Sequence, residues 1–257
     1  VTSLVHKSLL VQDEEHEATF EDPRFRMLST IHDFAREHLA QSDEHAEVHQ
    51  RHLAWLTGFA ARAEPELTGP DQGAWFSRLD TELDNIRLAL GWALPHDPAG
   101  GLRLASLLWR YWATHGLLTE GHDWLRRYLE APGDVPELVR AGGAVARAHL
   151  ALDLGDYPAS SASYAEALAI FERLGDQRAT AEALNGLGLV QWYRGDYDGA
   201  RGYHERSLAI RREIGDLHGQ GNSLSNLANV TRDSGNPQAA RDLHREALAI
   251  RQRTGHR

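Results

Sequence analysis

The 257-residue chain is 42% hydrophobic and 25% charged, so it has enough apolar side chains for the core of one elongated domain or two compact ones. Its formal net charge of -10 at pH 7 disfavours a nucleic acid partner, and no run of residues approaches the roughly 18 consecutive apolar residues of a membrane span. The lack of cysteine excludes disulfides and thiolate metal sites, and it predicts a reducing, cytoplasmic location.

Lysine occurs once, at Lys7, and every other basic residue is arginine, a bias that favours a high-GC, actinobacterial coding sequence. A phosphate-binding loop needs a lysine after a glycine-rich segment, but Lys7 follows His6. The chain therefore lacks the usual nucleotide triphosphatase motif. No nucleophile, base and orienting group can be assembled from motif spacing either, so we predict that the chain is not an enzyme and needs no cofactor.

The N-terminal segment combines strand-like runs with a helix. Leu9–Val11 and Phe25–Leu28 are apolar runs on either side of an acidic, turn-rich stretch, which predicts a β-hairpin. The acidic group Glu14–Glu17 falls at its tip, where an exposed charged loop is expected rather than a catalytic group. A helix should begin at about residue 29.

The segment 43–101 is predicted to be a helical linker, with a helix over Asp80–Leu94. Spacings of four and three residues place His45, His49 and His52 on one helical face, where they could bind one metal ion. Solvated or half-buried histidines are the other interpretation. Since no carboxylate is identifiable that would orient the imidazoles, we predict no metal site.

The rest of the chain contains an internal repeat. Tyr164–Ile170 aligns with His204–Ile210 and His244–Ile250 at an offset of 40 residues, and Gly-Asp-Tyr or Gly-Asn-Pro turns recur with the same period. A degenerate unit precedes these repeats, with one helix predicted from Leu104 to Thr114. We place units of two helices each within 102–257, at 102–133, 144–183, 184–223 and 224–257.

Small residues mark the positions where paired helices should approach closely. Gly188 is one such position, and Ala148 and Ala228 are its equivalents. The large residues expected to be buried against the next hairpin are Leu208, Ile210, Leu248 and Ile250. Because a single hairpin cannot cover its own apolar face, the repeats must stack into a solenoid with one concave side.

Several asparagines occur on the predicted first helices of adjacent repeats, namely Asn185, Asn222, Asn226 and Asn229. Asparagine is a poor helix former, and its carboxamide can pair with both an N–H and a C=O of an extended peptide. We predict that these amides bind a peptide or protein segment, while Trp192, Tyr193 and Arg232 select its side chains. Bridging between repeats, or exposure to water, is the alternative interpretation.

The small residues, the Gly-Asp-Tyr turns and the Ala-Leu-Ala-Ile second helices resemble tetratricopeptide repeats of a 40-residue variety. The resemblance implies a mostly α fold, a right-handed α-solenoid of helical hairpins. It also implies that the concave side, where similar asparagines line peptide grooves in that family, is the binding surface.

Residues 1–42, with Leu4–Leu10 and Arg24–Ile31, resemble the end of the winged-helix domain in actinobacterial STAND-type (NB-ARC-like) signalling ATPases. Leu83–Trp92 resembles the linker helix that those proteins place before their repeats. The resemblance implies a small N-terminal winged-helix-like α+β portion and an upstream ATPase domain in the same, longer polypeptide.

In that family the repeats are the sensor: they bind an inducer and release the ATPase, and the winged helix is usually an internal regulatory element. The resemblance thus implies a sensor segment of a signalling ATPase or transcriptional regulator. The alternative is a free-standing adaptor that recruits protein partners without a nucleotide switch.

Overall fold

The computed structural model describes residues 2–12 and 25–253 and is mostly helical. The acidic group Glu14–Glu17 lies outside these residues. So does Thr254–His256, whose sequence weakly matches the turn at Leu174–Asp176. The chain forms two compact units, Val1–Tyr111 and Trp112–Arg257. Within the described ranges, no helix is both long enough and apolar enough to cross a membrane.

The first unit contains a small antiparallel sheet followed by helices. Leu10 pairs with Met27 across this sheet, which confirms the predicted hairpin strands. The elements are α1 (Thr2–His6), β1 (Leu10–Gln12), β2 (Phe25–Met27), α2 (Ser29–Ala40), α3 (His45–Glu66), α4 (Gln72–His96) and α5 (Pro98–Leu107), and α6 (Trp109–Thr114) spans the boundary between the units.

The prediction of one helix from Leu104 to Thr114 is wrong, because the structure interrupts it at Leu108. The hydroxyl of Ser106 donates to the carbonyl of Leu102 at 2.6 Å, an interaction that bends helices. The amide of Leu108 bonds to Ala105 in a tighter, three-residue turn.

The second unit continues with a single helix and three helical hairpins. The helices are α7 (Leu118–Glu130), α8 (Glu137–Asp153), α9 (Tyr157–Leu174), α10 (Gln177–Tyr193), α11 (Tyr197–Glu213), α12 (Leu217–Asp233) and α13 (Pro237–Arg253). The first helices of the hairpins are α8, α10 and α12, and the second helices are α9, α11 and α13. The hairpins begin at 137, 177 and 217, before the predicted unit starts at 144, 184 and 224, but their 40-residue offset is the same.

Glycine followed by aspartate or asparagine delimits these helices every 20 residues. Gly175, for example, has a φ of 71° and ends α9, and the next residue, Asp176, caps α10 by accepting a hydrogen bond from the amide of Ala179. The glycines with positive φ at these 20-residue intervals are Gly155, Gly175, Gly195, Gly215 and Gly235. One dipeptide thus stops one helix and starts the next, which explains why the repeat is legible in the sequence.

Close packing at Gly188 is confirmed. A Cβ atom added there would lie 2.5 Å from the His204 ring, and the equivalent residues Ala148 and Ala228 are fully buried. The small residue therefore makes room for an aromatic side chain of the paired helix.

The expected burial of the large residues is only partly correct. Leu208 is buried, whereas Leu248 is 55% exposed, because no described helix packs beyond α13. Ile250 is buried, but it clusters with Leu224 and Leu227 of its own hairpin rather than with a following one.

Candidate functional site

The first helices form one side of the repeat stack. Helix α10 contacts both α8 and α12, while the second helices α9 and α11 each pack between the first helix of their own hairpin and that of the next. Because neighbouring first helices approach each other directly, they lie on the inner, concave side of the curve. We call their common face the first-helix surface.

All four predicted asparagines lie on first helices, as expected, and two of them bond to each other. Asn226 Nδ2 on α12 donates to Asn185 Oδ1 on α10 at 3.0 Å. His204 Nδ1, on the second helix of the same hairpin as Asn185, lies 3.0 Å from that oxygen and donates to it. The pair therefore bridges adjacent repeats, while Asn185 Nδ2 and Asn226 Oδ1 keep hydrogen-bonding capacity for a ligand.

His204 is fully buried and was not singled out from the sequence. Burial, and to a lesser extent the charge of Arg211, lowers the pKa of His204 to about 4, so its ring is neutral near pH 7. Its equivalent in the preceding repeat is Tyr164, whose hydroxyl lies 3.0 Å from His149 Nδ1 on α8. A polar ring at this aromatic position of the repeat is the signal that could have identified it.

The other two asparagines differ from this pair. Asn222 Nδ2 lies 3.4 Å from His218 Nε2 one helical turn away, which is a weak contact. Asn229 makes no hydrogen bond through its amide to any described residue. It is half-buried on α12, three residues after Asn226, and the two lie on the same helical side.

Trp192 and Arg232 meet at a carboxylate that sequence reasoning missed. Trp192 Nε1 donates to Asp233 Oδ2 at 2.9 Å, and Arg232 Nε donates to Asp233 Oδ1 at 2.8 Å. The bond from Arg232, followed by that from Trp192, lowers the pKa of Asp233. Asp233 is 40 residues after Tyr193, and this equivalence to a predicted site residue could have revealed it.

Tyr193 provides the exposed aromatic surface of the site. Its side chain is 56% exposed, and its ring centroid lies 5.1 Å from that of Trp192 and 6.2 Å from that of Tyr157, with the two tyrosine rings stacked. An aromatic side chain anchored on one side and open on the other is suited to packing against an apolar or planar group of a ligand.

The histidines considered for a metal lie on α3 in the first unit. The rings of His45 and His49 are in edge contact, with centroids 4.5 Å apart. Over residues 2–12 and 25–253, no group of three or more His, Cys, Asp or Glu side chains is placed to hold a metal ion.

The second unit matches a known repeat family. A sequence model described as tetratricopeptide repeat matches residues 141–213 and 192–253. The hairpins between 141 and 253 are therefore tetratricopeptide repeats, a protein-interaction fold, stacked as a solenoid.

Relatives of known name extend the comparison beyond the repeats. Over 202 residues, the chain is 33% identical to proteins that are HTH-type transcriptional regulators by name, one from Mycobacterium bovis and two from strains of Mycobacterium tuberculosis. The alignment covers 75% of this chain but 22% of each relative, so the chain spans about a fifth of their length.

Solved structures support the fold. BtubC from P. vanneervenii is 20% identical with a TM-score of 0.59, over 80% of this chain and 92% of its own. A kinesin light chain repeat protein of Podosopora anserina is 15% identical with a TM-score of 0.62, over 79% of this chain and 98% of its own. Aspartyl phosphate phosphatase F from Bacillus subtilis is 16% identical with a TM-score of 0.62, over 98% of this chain and 62% of its own.

Proposed function

We propose that this chain is the sensor and protein-interaction segment of a STAND-type signalling ATPase or transcriptional regulator. The first-helix surface would bind an inducer, which could be a peptide, a protein or a small molecule. The observation that carries the proposal is the row formed by Asn185, Asn226 and Asn229, whose amides retain unused hydrogen-bonding groups. The exposed ring of Tyr193 ends α10, the helix that carries Asn185.

The contacts of this row support a division of roles. The pairing of Asn226 with Asn185 holds both carboxamides in fixed orientations, which reduces the entropy lost when a ligand binds. Asn229 adds a free carboxamide on the same side of α12 and can pair with the backbone of an extended segment. Tyr193 then offers its ring to a ligand side chain.

In this proposal Trp192 and Arg232 do more than select ligand side chains. Both side chains donate hydrogen bonds to Asp233, so each helps to hold the other in position for contact with a ligand. The guanidinium of Arg232 keeps its remaining N–H groups for an acceptor on the ligand.

The N-terminal elements support the larger context. The order α1, β1, β2, α2 agrees with the end of a winged-helix domain, and the mycobacterial relatives are transcriptional regulators by name. In the full polypeptide we place the ATPase domain upstream, in the cytoplasm, with this segment contacting protein rather than nucleic acid because of its net charge of -10.

The test of this context uses the full-length gene product. Its ATP hydrolysis should rise when residues 137–257 are deleted, because the repeats would no longer restrain the ATPase. The isolated 257-residue chain should neither hydrolyse ATP nor gain thermal stability from ATP and magnesium. An upstream sequence without a phosphate-binding loop would refute the sensor proposal and leave the adaptor alternative.

A further inference from the structure

A histidine-rich cleft lies between α2, α3 and α4 of the first unit, far along the sequence from the asparagine row. Its volume is about 680 Å³. The side chains around it that can donate hydrogen bonds are His32, Arg36, His45, His49, His52 and Asn85.

The ring of His49 is held in position within this cluster. It stacks on Trp92 with a centroid distance of 5.3 Å and an interplanar angle of 11°. His96 stacks on Trp92 as well, at 4.9 Å and 5°, and His96 Nδ1 lies 2.7 Å from the Trp92 carbonyl oxygen. Because both imidazoles stack on the indole of Trp92, either ring would gain a cation–π contact when protonated.

The charges that act on His49 are positive. Its pKa is lowered by burial first, and then by His45, His52, His96 and Arg36. Arg36 lies on the exposed side of α2 and makes no ion pair with any described residue. A protonated His49 would therefore lie among cationic groups, and an anion among them would be stabilised.

Acidic groups also lie in the cleft or close to it. Asp33 pairs with His32 at 3.6 Å on α2, and Glu37 lines the cleft from the same helix. On α4, Glu82 raises the pKa of the neighbouring His52, although burial of His52 has the larger, opposite effect. The carboxylate of Glu82 accepts a hydrogen bond from Asn85 at 2.6 Å.

We propose that this cleft binds a small anion with a phosphate or carboxylate group, held jointly by Arg36 and the protonated imidazole of His49. Binding then takes up a proton, so affinity increases as the pH falls. This site is independent of the first-helix surface, and it would give the protein a second, pH-dependent input.

The test is a titration of the whole chain with inorganic sulfate, a phosphate-like oxyanion whose charge stays constant, at about pH 5.5 and about pH 7.5, with chloride at equal ionic strength as the reference. Sulfate should bind roughly tenfold more tightly at the lower pH, and it should raise the pKa of His49 followed by NMR of the histidine rings. Lactate, which stays ionised at both pH values, distinguishes a general carboxylate site from one selective for a tetrahedral oxyanion, and binding of either anion in this pattern supports the proposal.

Single-residue variants test whether Arg36 and His49 bind the anion. His49→Gln should remove the pH dependence, and Arg36→Gln, on an exposed side chain, should weaken binding at both pH values. His244→Gln, on α13, should behave like the unmodified chain. The proposal is overturned if neither anion binds at the lower pH, or if His49→Gln and His244→Gln have equal effects. If His49→Gln does not fold, the NMR titration of the unmodified chain and Arg36→Gln still decide the outcome.

Discussion

The substitution Gly188→Ala measures the close packing inside the second hairpin. Helix propensity alone would make this change stabilising by about 1 kcal/mol. The new Cβ, however, would lie 2.5 Å from His204 Cε1 and 2.7 Å from its Nδ1, and that ring is buried and bonded to Asn185. Overpacking of this kind costs about 1–3 kcal/mol, so the variant should show a net loss of up to about 2 kcal/mol.

Gly202→Ala on α11 is the matched control, since nothing lies within 4 Å of its added Cβ. That variant should be stabilised by about 0.5–1 kcal/mol. Urea unfolding followed by circular dichroism gives both free energies, and the two variants should differ by about 1–3 kcal/mol. If Gly188→Ala is as stabilising as Gly202→Ala, the packing of α10 against α11 is wrong.

Three further predictions concern stability. Because the pKa of His204 is about 4 in the folded chain and 6.5 ordinarily, the unfolded chain binds more protons between these values. Stability should therefore fall by roughly 3 kcal/mol as the pH drops through this window, and His204→Phe should flatten that part of the pH profile in urea unfolding. Asp196→Ala removes the helix cap that accepts a hydrogen bond from the Gly199 amide at 3.0 Å, and it should lower the unfolding free energy by about 1 kcal/mol. An unchanged unfolding free energy would indicate that water replaces the cap. Leu208→Ala should lower the unfolding free energy by about 2–5 kcal/mol, but Leu248→Ala should lower it by less than about 0.5 kcal/mol. Equal melting temperatures for the two variants would contradict the exposure of Leu248 on α13.

The repeat was predictable because its signals are local. A glycine with positive φ and the capping residue after it occupy adjacent positions, so the pair can be read without knowing any tertiary contact. Gly188 was predictable for a related reason, since a small residue at helical spacing indicates a close helix approach. The asparagines could likewise be assigned to first helices from their position between two turns.

The partners of the site residues depend on contacts between helices and could not be predicted. The bond between Asn185 and Asn226 joins residues 41 apart, and its formation depends on how α10 and α12 align. The same is true of Trp192 and Asp233, which belong to neighbouring repeats. Leu248 has the same type as Leu208, and only the absence of a described neighbour beyond α13 makes it exposed.

The choice of a control variant for the asparagine substitutions tested below also depends on contacts between helices. Arg201, on the second helix α11, donates to Ser234 Oγ of the next repeat at 3.1 Å, so changing it would disturb the stack. Arg241 on α13 contacts only Gln238, one turn away on its own helix, among the described residues, and at 3.4 Å. It is therefore the better control.

The central claim, that the first-helix surface binds the partner, is tested most directly by a binding titration of Asn226→Ala/Asn229→Ala against Arg241→Ala, with the partner recovered from the source cell. Each hydrogen bond contributes about 0.5–1.5 kcal/mol, so the double variant should bind roughly tenfold more weakly or worse. Arg241→Ala should bind normally, and both variants should keep the circular dichroism spectrum of the parent chain. Equal weakening in both variants, or weakening only in Arg241→Ala, would contradict the account and move the site off the first-helix surface.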